Sequence, residues 1–151
     1  MKPTAELHLR ISSDSADLPP LRAQVRDWLH AHRWSDTQAG EIVLALDEAV
    51  SNVIRHGYGN QGGMPIDVCL LPVVDADGEE GLEVQIRDFG QQVDPAQIRG
   101  RDLDDIRPGG LGVHIIRAMM NSLEYRPAPG GGMLAIMRKS RGHTVAVGRC
   151  T

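Results

Sequence analysis

The stretch Ala45-Leu46-Asp47-Glu48-Ala49-Val50-Ser51-Asn52-Val53-Ile54-Arg55-His56-Gly57-Tyr58 decides how this chain is read. At 3.6 residues per turn its residues sort onto two faces, so the spacing predicts an amphipathic helix. Leu46, Ala49, Val50, Val53 and Ile54 fill one side. Asp47, Glu48, Ser51, Asn52, Arg55 and His56 fall on the other. Glu48 and Asn52 stand at i and i+4, one above the other. A carboxylate one turn from a carboxamide, with an imidazole one turn further, can hold a hydrated metal ion or position a nucleophile. Ser35-Asp36 reads as the cap of this helix and Thr37 to His56 as its body. The glycine-rich run Gly57 to Gly63 must end it.

Outward from this helix the chain alternates. Glu6 to Ser12 predicts a strand with Leu7, Leu9 and Ile11 on one face and His8 turned outward. Ser13 to Pro20 suits a helix start, and Leu21, Val25, Trp28 and Leu29 recur at helical spacing to about His32. Ile66, Val68 and Leu70 mark a second strand, and Leu82, Val84 and Ile86 a third that ends at Arg87-Asp88. The acidic run Asp75 to Gly81 between them lacks the later ligands of a calcium loop and reads as a hairpin turn. Phe89 to Pro108 is polar with little periodicity, and a long irregular segment in a compact domain is usually functional. Leu111 to Met120 predicts a third helix. Ser122 to Tyr125 and Met133 to Arg138 predict two strands around a hairpin loop. Strands joined mostly by hairpins imply a two-layer α/β sandwich, with a mixed, mostly antiparallel sheet and the helices on one face.

Composition narrows the function. The chain has 151 residues, 41% of them hydrophobic and 24% charged, as expected for one soluble globular domain. Aromatic residues make up only 3%, so the core must rest on Leu, Ile, Val, Ala and Met. A net charge of −4, without a basic run, gives no nucleic-acid footprint. Cys69 and Cys150 form no metal-type spacing, and Cys69 reads as a small buried hydrophobe. No segment resembles a signal peptide or spans a membrane, which points to the cytoplasm.

Two glycine-bearing segments carry the remaining chemistry. Gly109-Gly110-Leu111-Gly112 is not a dinucleotide fingerprint, since Ile115 stands where the third glycine belongs. It is a glycine-rich helix start whose free N–H groups suit phosphate. Asp88-Phe89-Gly90 spells the magnesium triad of eukaryotic-type kinases, but the catalytic loop and lysine strand of those enzymes are missing. An aspartate at a strand end can instead accept a hydrogen bond from an exocyclic amine, with Gly90 admitting a flat base.

Taken in order, Glu48-xxx-Asn52, Asp88-x-Gly90 and Gly110-x-Gly112 resemble the N, G1 and G2 boxes of the Bergerat-type ATP-binding fold of gyrase, histidine kinases and MutL. Within that group, Asp47 to Tyr58 and Pro108 to Arg117, with Met120, Tyr125 and Gly131-Gly132, resemble the anti-sigma-factor serine/threonine kinases (RsbW-like). The resemblance covers Leu7 to Lys139 and makes residues 1–142 one ATP-binding kinase domain, with 143–151 a C-terminal strand or tail. It implies ATP and Mg²⁺ as cofactors, with Asn52 holding the metal. Asp88 and Gly90 would bind the base, Gly110 and Gly112 would wrap the phosphates, and Glu48 would orient or deprotonate the attacking hydroxyl. Arg101 or Arg107 could touch the γ-phosphate, and His56 could contact phosphate or cap the helix. Asn121 stands where these kinases often carry Asp. The implied partners are a sigma factor, a STAS-type anti-sigma-factor antagonist and a second copy of the chain, paired through the first strand and helix. The rival reading is a nucleotide-dependent switch that sequesters a partner without phosphoryl transfer; a histidine-kinase fragment is disfavoured, because no dimerisation helix pair precedes the domain.

Overall fold

A computed structural model describes residues 6–90 and 112–145. Five strands form one sheet in the order β1-β2-β3-β5-β4. They are β1 (Leu7–Ser12), β2 (Pro65–Val74), β3 (Glu80–Asp88), β4 (Ser122–Pro127) and β5 (Met133–Ser140). The sheet is antiparallel at every pairing rather than mixed. Hairpins link β2 to β3 and β4 to β5, while β4 lies beyond β5 at the edge, reached by a crossover.

The period-2 pattern fixes which face is buried. Ile66, Val68 and Leu70 of β2, Leu82, Val84 and Ile86 of β3, and Ala135 and Met137 of β5 all point to one side and join the core. Three helices cover that side: α1 (Leu18–Ala31), α2 (Asp36–Asn52) and α3 (Gly112–Met119). Pro19 and Pro20 open α1, where their missing N–H groups cost nothing. Ser35 caps α2 by accepting from the Gln38 amide at 3.1 Å. α2 lies between the other two helices, packing on both. Among the described residues, no helix is long and apolar enough to cross a membrane.

Two expectations are refined. α2 ends at Asn52 rather than His56, and Val53–Gly57 form a π-helical turn, a widened geometry frequent at functional sites. Cys69 is half-buried on the open face of the sheet, its Sγ 3.8 Å from His8 Nε2, and not in the core. Asn121 follows α3 in the turn to β4, where its Oδ1 accepts from the Ser140 amide at 2.7 Å. Cys150 lies outside the described residues, as does the tail beyond Val145.

Behind the helices sits a buried cation. Lys139, 1% exposed, donates to the Met119 carbonyl at 2.6 Å and lies 3.3 Å from Glu41 and 2.8 Å from His143 Nδ1. Burial pulls its ammonium below the usual lysine range. It ties the last turn of α3 to α2 and β5. Removing its charge alone leaves Glu41 half-paired, so Lys139→Met is expected to cost about 2–4 kcal/mol in chemical denaturation. An unchanged midpoint would show that the ion pair contributes nothing.

Candidate functional site

The site forms where the C-terminal end of α2, the end of β3 and the start of α3 meet. Asn52 closes α2 and is buried, 8% exposed. Arg55, on the π-helical turn, donates from Nη2 to Asn52 Oδ1 at 3.0 Å. Glu48 stands one turn earlier and is half-buried. Gly112, the first residue of α3, lies against both. A Cβ placed on it would be 2.8 Å from Glu48 Oε2 and 3.5 Å from Asn52 Oδ1. Any larger residue would fill the space between the carboxylate and the helix start.

Asp88 forms the opposite wall, 3% exposed. Its Oδ1 accepts from the amides of Gly90 (2.9 Å) and Met133 (3.2 Å). Among the described residues no hydrogen bond ends on Oδ2. Burial lifts this carboxyl above the ordinary aspartate range, and the two amide donors and Arg87 oppose the shift. Gly57 leaves Oδ2 open: a Cβ there would sit 3.1 Å from it. Gly90 passes over the Gly57 carbonyl so closely that a Cβ would lie 2.3 Å away. Tyr58 joins the two segments, its hydroxyl donating to the Pro65 carbonyl and accepting from the Phe89 amide at 2.7 Å.

The structure thus brings Glu48, Asn52, Asp88, Gly90 and Gly112 around the end of α2. His56 is exposed on the π-helical turn. Gly110, Arg101 and Arg107 lie outside the described residues. Asp47, placed with Glu48 by the helical wheel, faces α1 instead, 3.0 Å from Arg22. Reasoning from sequence missed four contributors: Arg55 on the Asn52 oxygen, Tyr58 as a strut, Gly132 against the Asp88 backbone, and Met133 as an amide donor. The last two act through main chain, which leaves no mark in a side-chain pattern.

The donor set suits a nucleotide. An aspartate oxygen open beside two glycines can accept from an exocyclic amine, and a glycine-opened helix start can receive phosphate. Among the described residues no group of three His, Cys, Asp or Glu could cage a metal. Among the described residues the Asn52 carboxamide oxygen is the donor placed to meet Mg²⁺, an ion that keeps several waters and binds largely through substrate phosphates.

The chain matches the histidine kinase-like ATPase domain over residues 11–139. It is 29% identical over 112 residues to the serine/threonine-protein kinase BtrW of Bordetella bronchiseptica, covering 72% of this chain and 75% of that one. It is 29% identical over 103 residues to the anti-sigma F factor of Clostridium acetobutylicum, covering 66% and 68%. The solved RsbU and RsbW domains of a Mycobacterium tuberculosis protein superpose with a TM-score of 0.61 at 21% identity. That match covers 96% of this chain but 35% of the other, and it shows the shared fold. With residues 11–139 matched, the chain belongs to the histidine kinase-like ATPase domain family.

Proposed function

We propose that the protein is an ATP-dependent serine/threonine protein kinase acting as an anti-sigma regulatory factor. It phosphorylates a STAS-type antagonist and, in its other state, sequesters a sigma factor. Relatives named as serine/threonine kinase and anti-sigma factor support this reading. The observation that carries it is the placing of Glu48 at the mouth of α3, 2.8 Å from where a Gly112 Cβ would stand.

In this account Asp88 accepts the adenine amine on Oδ2, while its Oδ1 stays tied to Gly90 and Met133. Asn52 offers its oxygen to Mg²⁺, which when bound supplies charge neutralisation on the phosphates. The start of α3 receives the phosphates with its free amides. Glu48 orients the partner's serine or threonine hydroxyl and takes its proton as the oxygen–phosphorus bond forms and ADP leaves. Positioning, neutralisation and one base are what phosphoryl transfer asks of a protein. The protein would act in the cytoplasm as a homodimer paired through β1 and α1.

Incubation with γ-labelled ATP and a STAS-domain partner tests the reading. Label is expected on a serine or threonine of the partner. Tight nucleotide binding with no label on any STAS partner would favour the switch without transfer. Asn52→Ala is expected to weaken Mg-ATP binding at least tenfold in calorimetry, in line with the loss of a metal ligand's contribution.

A further inference from the structure

Residues 128–132 join β4 to β5, and Gly130, Gly131 and Gly132 take φ values of +83°, +121° and +78° in succession. Consecutive glycines lose more backbone freedom on ordering than other residues do, so this loop needs a holder. Arg87 supplies it from the open face of the sheet. Its Nη2 donates to the Pro129 carbonyl at 2.6 Å and to the Gly131 carbonyl at 3.3 Å. The guanidinium lies over the Phe89 ring, 4.5 Å from its centroid, and Arg10 stacks on the same ring at 5.4 Å. Asp67 grips Arg10 with both oxygens, at 2.6 and 2.9 Å. Arg10, Asp67 and Arg87 are cross-strand neighbours on β1, β2 and β3, so a row of side chains on the open face ends at the hairpin loop.

What the loop delivers lies on the other face. Strand alternation turns Arg87 outward and Asp88, next in the chain, toward the helices. Directly after the loop, Met133 donates its amide to Asp88 Oδ1 at 3.2 Å, and Gly132 packs on the Asp88 backbone. We propose that Arg87 is a positioning residue for base recognition: by pinning the carbonyls of Pro129 and Gly131 it holds the Met133 amide on Asp88 Oδ1, which leaves Oδ2 aimed at the exocyclic amine. Arginine's flat fork can lie on a ring and bond two carbonyls at once. Lysine, a compact hydrated charge on a flexible stem, holds neither as firmly. The Arg87 Nε is buried without a hydrogen-bond partner, so the group is placed for the loop and the ring and not for its own solvation. The inference rests on the nucleotide site proposed above.

The test is Arg87→Lys, which keeps the charge beside Asp88 and removes the fork. Affinities for ATP and for inosine triphosphate, which carries a carbonyl where adenine has its amine, are measured side by side by calorimetry. ATP affinity is expected to fall about tenfold, the weight of a hydrogen bond to a charged group, while inosine triphosphate affinity stays level. In the nucleotide-free variant the Met133 amide should exchange about tenfold faster, with the Val68 and Val84 amides of the sheet centre unchanged. An unchanged ratio of the two affinities overturns the inference. If both hold, Arg87 is at most a charge; if both fall, it is merely structural. Unchanged Met133 exchange overturns it as well. Preference for ATP in the unmodified protein leaves the nucleotide site standing in each of these cases, and its absence overturns that reading and the inference together.

Discussion

Glu48→Gln is expected to slow phosphoryl transfer by about 10²–10⁴-fold, the range a positioned general base contributes. Nucleotide affinity should stay within about threefold. The substitution keeps shape and hydrogen-bonding reach but cannot take up a proton. Glu48 is half-buried beside the α3 start, and among the described residues no hydrogen bond ties its carboxylate elsewhere. It is therefore free to meet an incoming hydroxyl, unlike Asp47, which Arg22 holds against α1. Single-turnover transfer of labelled phosphate, alongside equilibrium binding of ATP, separates the two effects. A transfer rate within a few-fold of the unmodified protein would remove Glu48 from the chemistry.

The second large effect falls on the fold beneath the site. Gly132 has φ +78°, and a Cβ there would lie 1.9 Å from the Asp88 carbonyl oxygen and 2.7 Å from Phe89 Cα. Both obstacles are backbone, so no side chain can swing aside. Backbone strain and overpacking together put Gly132→Ala at about 3–5 kcal/mol, or on the order of 10 °C in melting temperature. The neighbouring Gly131 provides the control. Its φ is +121°, but a Cβ would meet nothing within 4 Å. Gly131→Ala should carry the strain without the clash and melt several degrees higher than Gly132→Ala. Equal melting temperatures would mean that the close approach of β5 to Asp88 is not real. The displaced Met133 amide should also weaken nucleotide binding, because it holds Asp88 Oδ1.

How far the sequence carried can be traced residue by residue. Alternation in Ile66-Asp67-Val68-Cys69-Leu70 was enough to orient β2, because a buried sheet face tolerates no one-residue slip. The stacking of Glu48 on Asn52 followed from helical geometry alone. The end of that helix did not. Residues 53–57 carry no proline, and nothing in their side chains distinguishes an i→i+5 turn from α-helix, yet the wider turn sets where Arg55 and His56 stand. Asp47 was misplaced for a related reason. A helical wheel assumes one wet face, whereas α2 is flanked by helices on both sides, so adjacent polar residues serve different neighbours. Cys69 sits in an apolar run but on the odd positions, which the strand turns to the open face. Tyr58, Gly132 and Met133 shape the Asp88 pocket through contacts between segments distant in sequence, and main-chain donors have no residue-type signature.

The central claim is that segments far apart in the chain close on one magnesium nucleotide. Amide hydrogen exchange with and without Mg-ATP tests it most directly. The account predicts that residues 48–58, residues 88–90 and the first turn of α3 all slow together, with half-effects at the same nucleotide concentration. Protection of only one of these segments, or of none at saturating Mg-ATP, would contradict it.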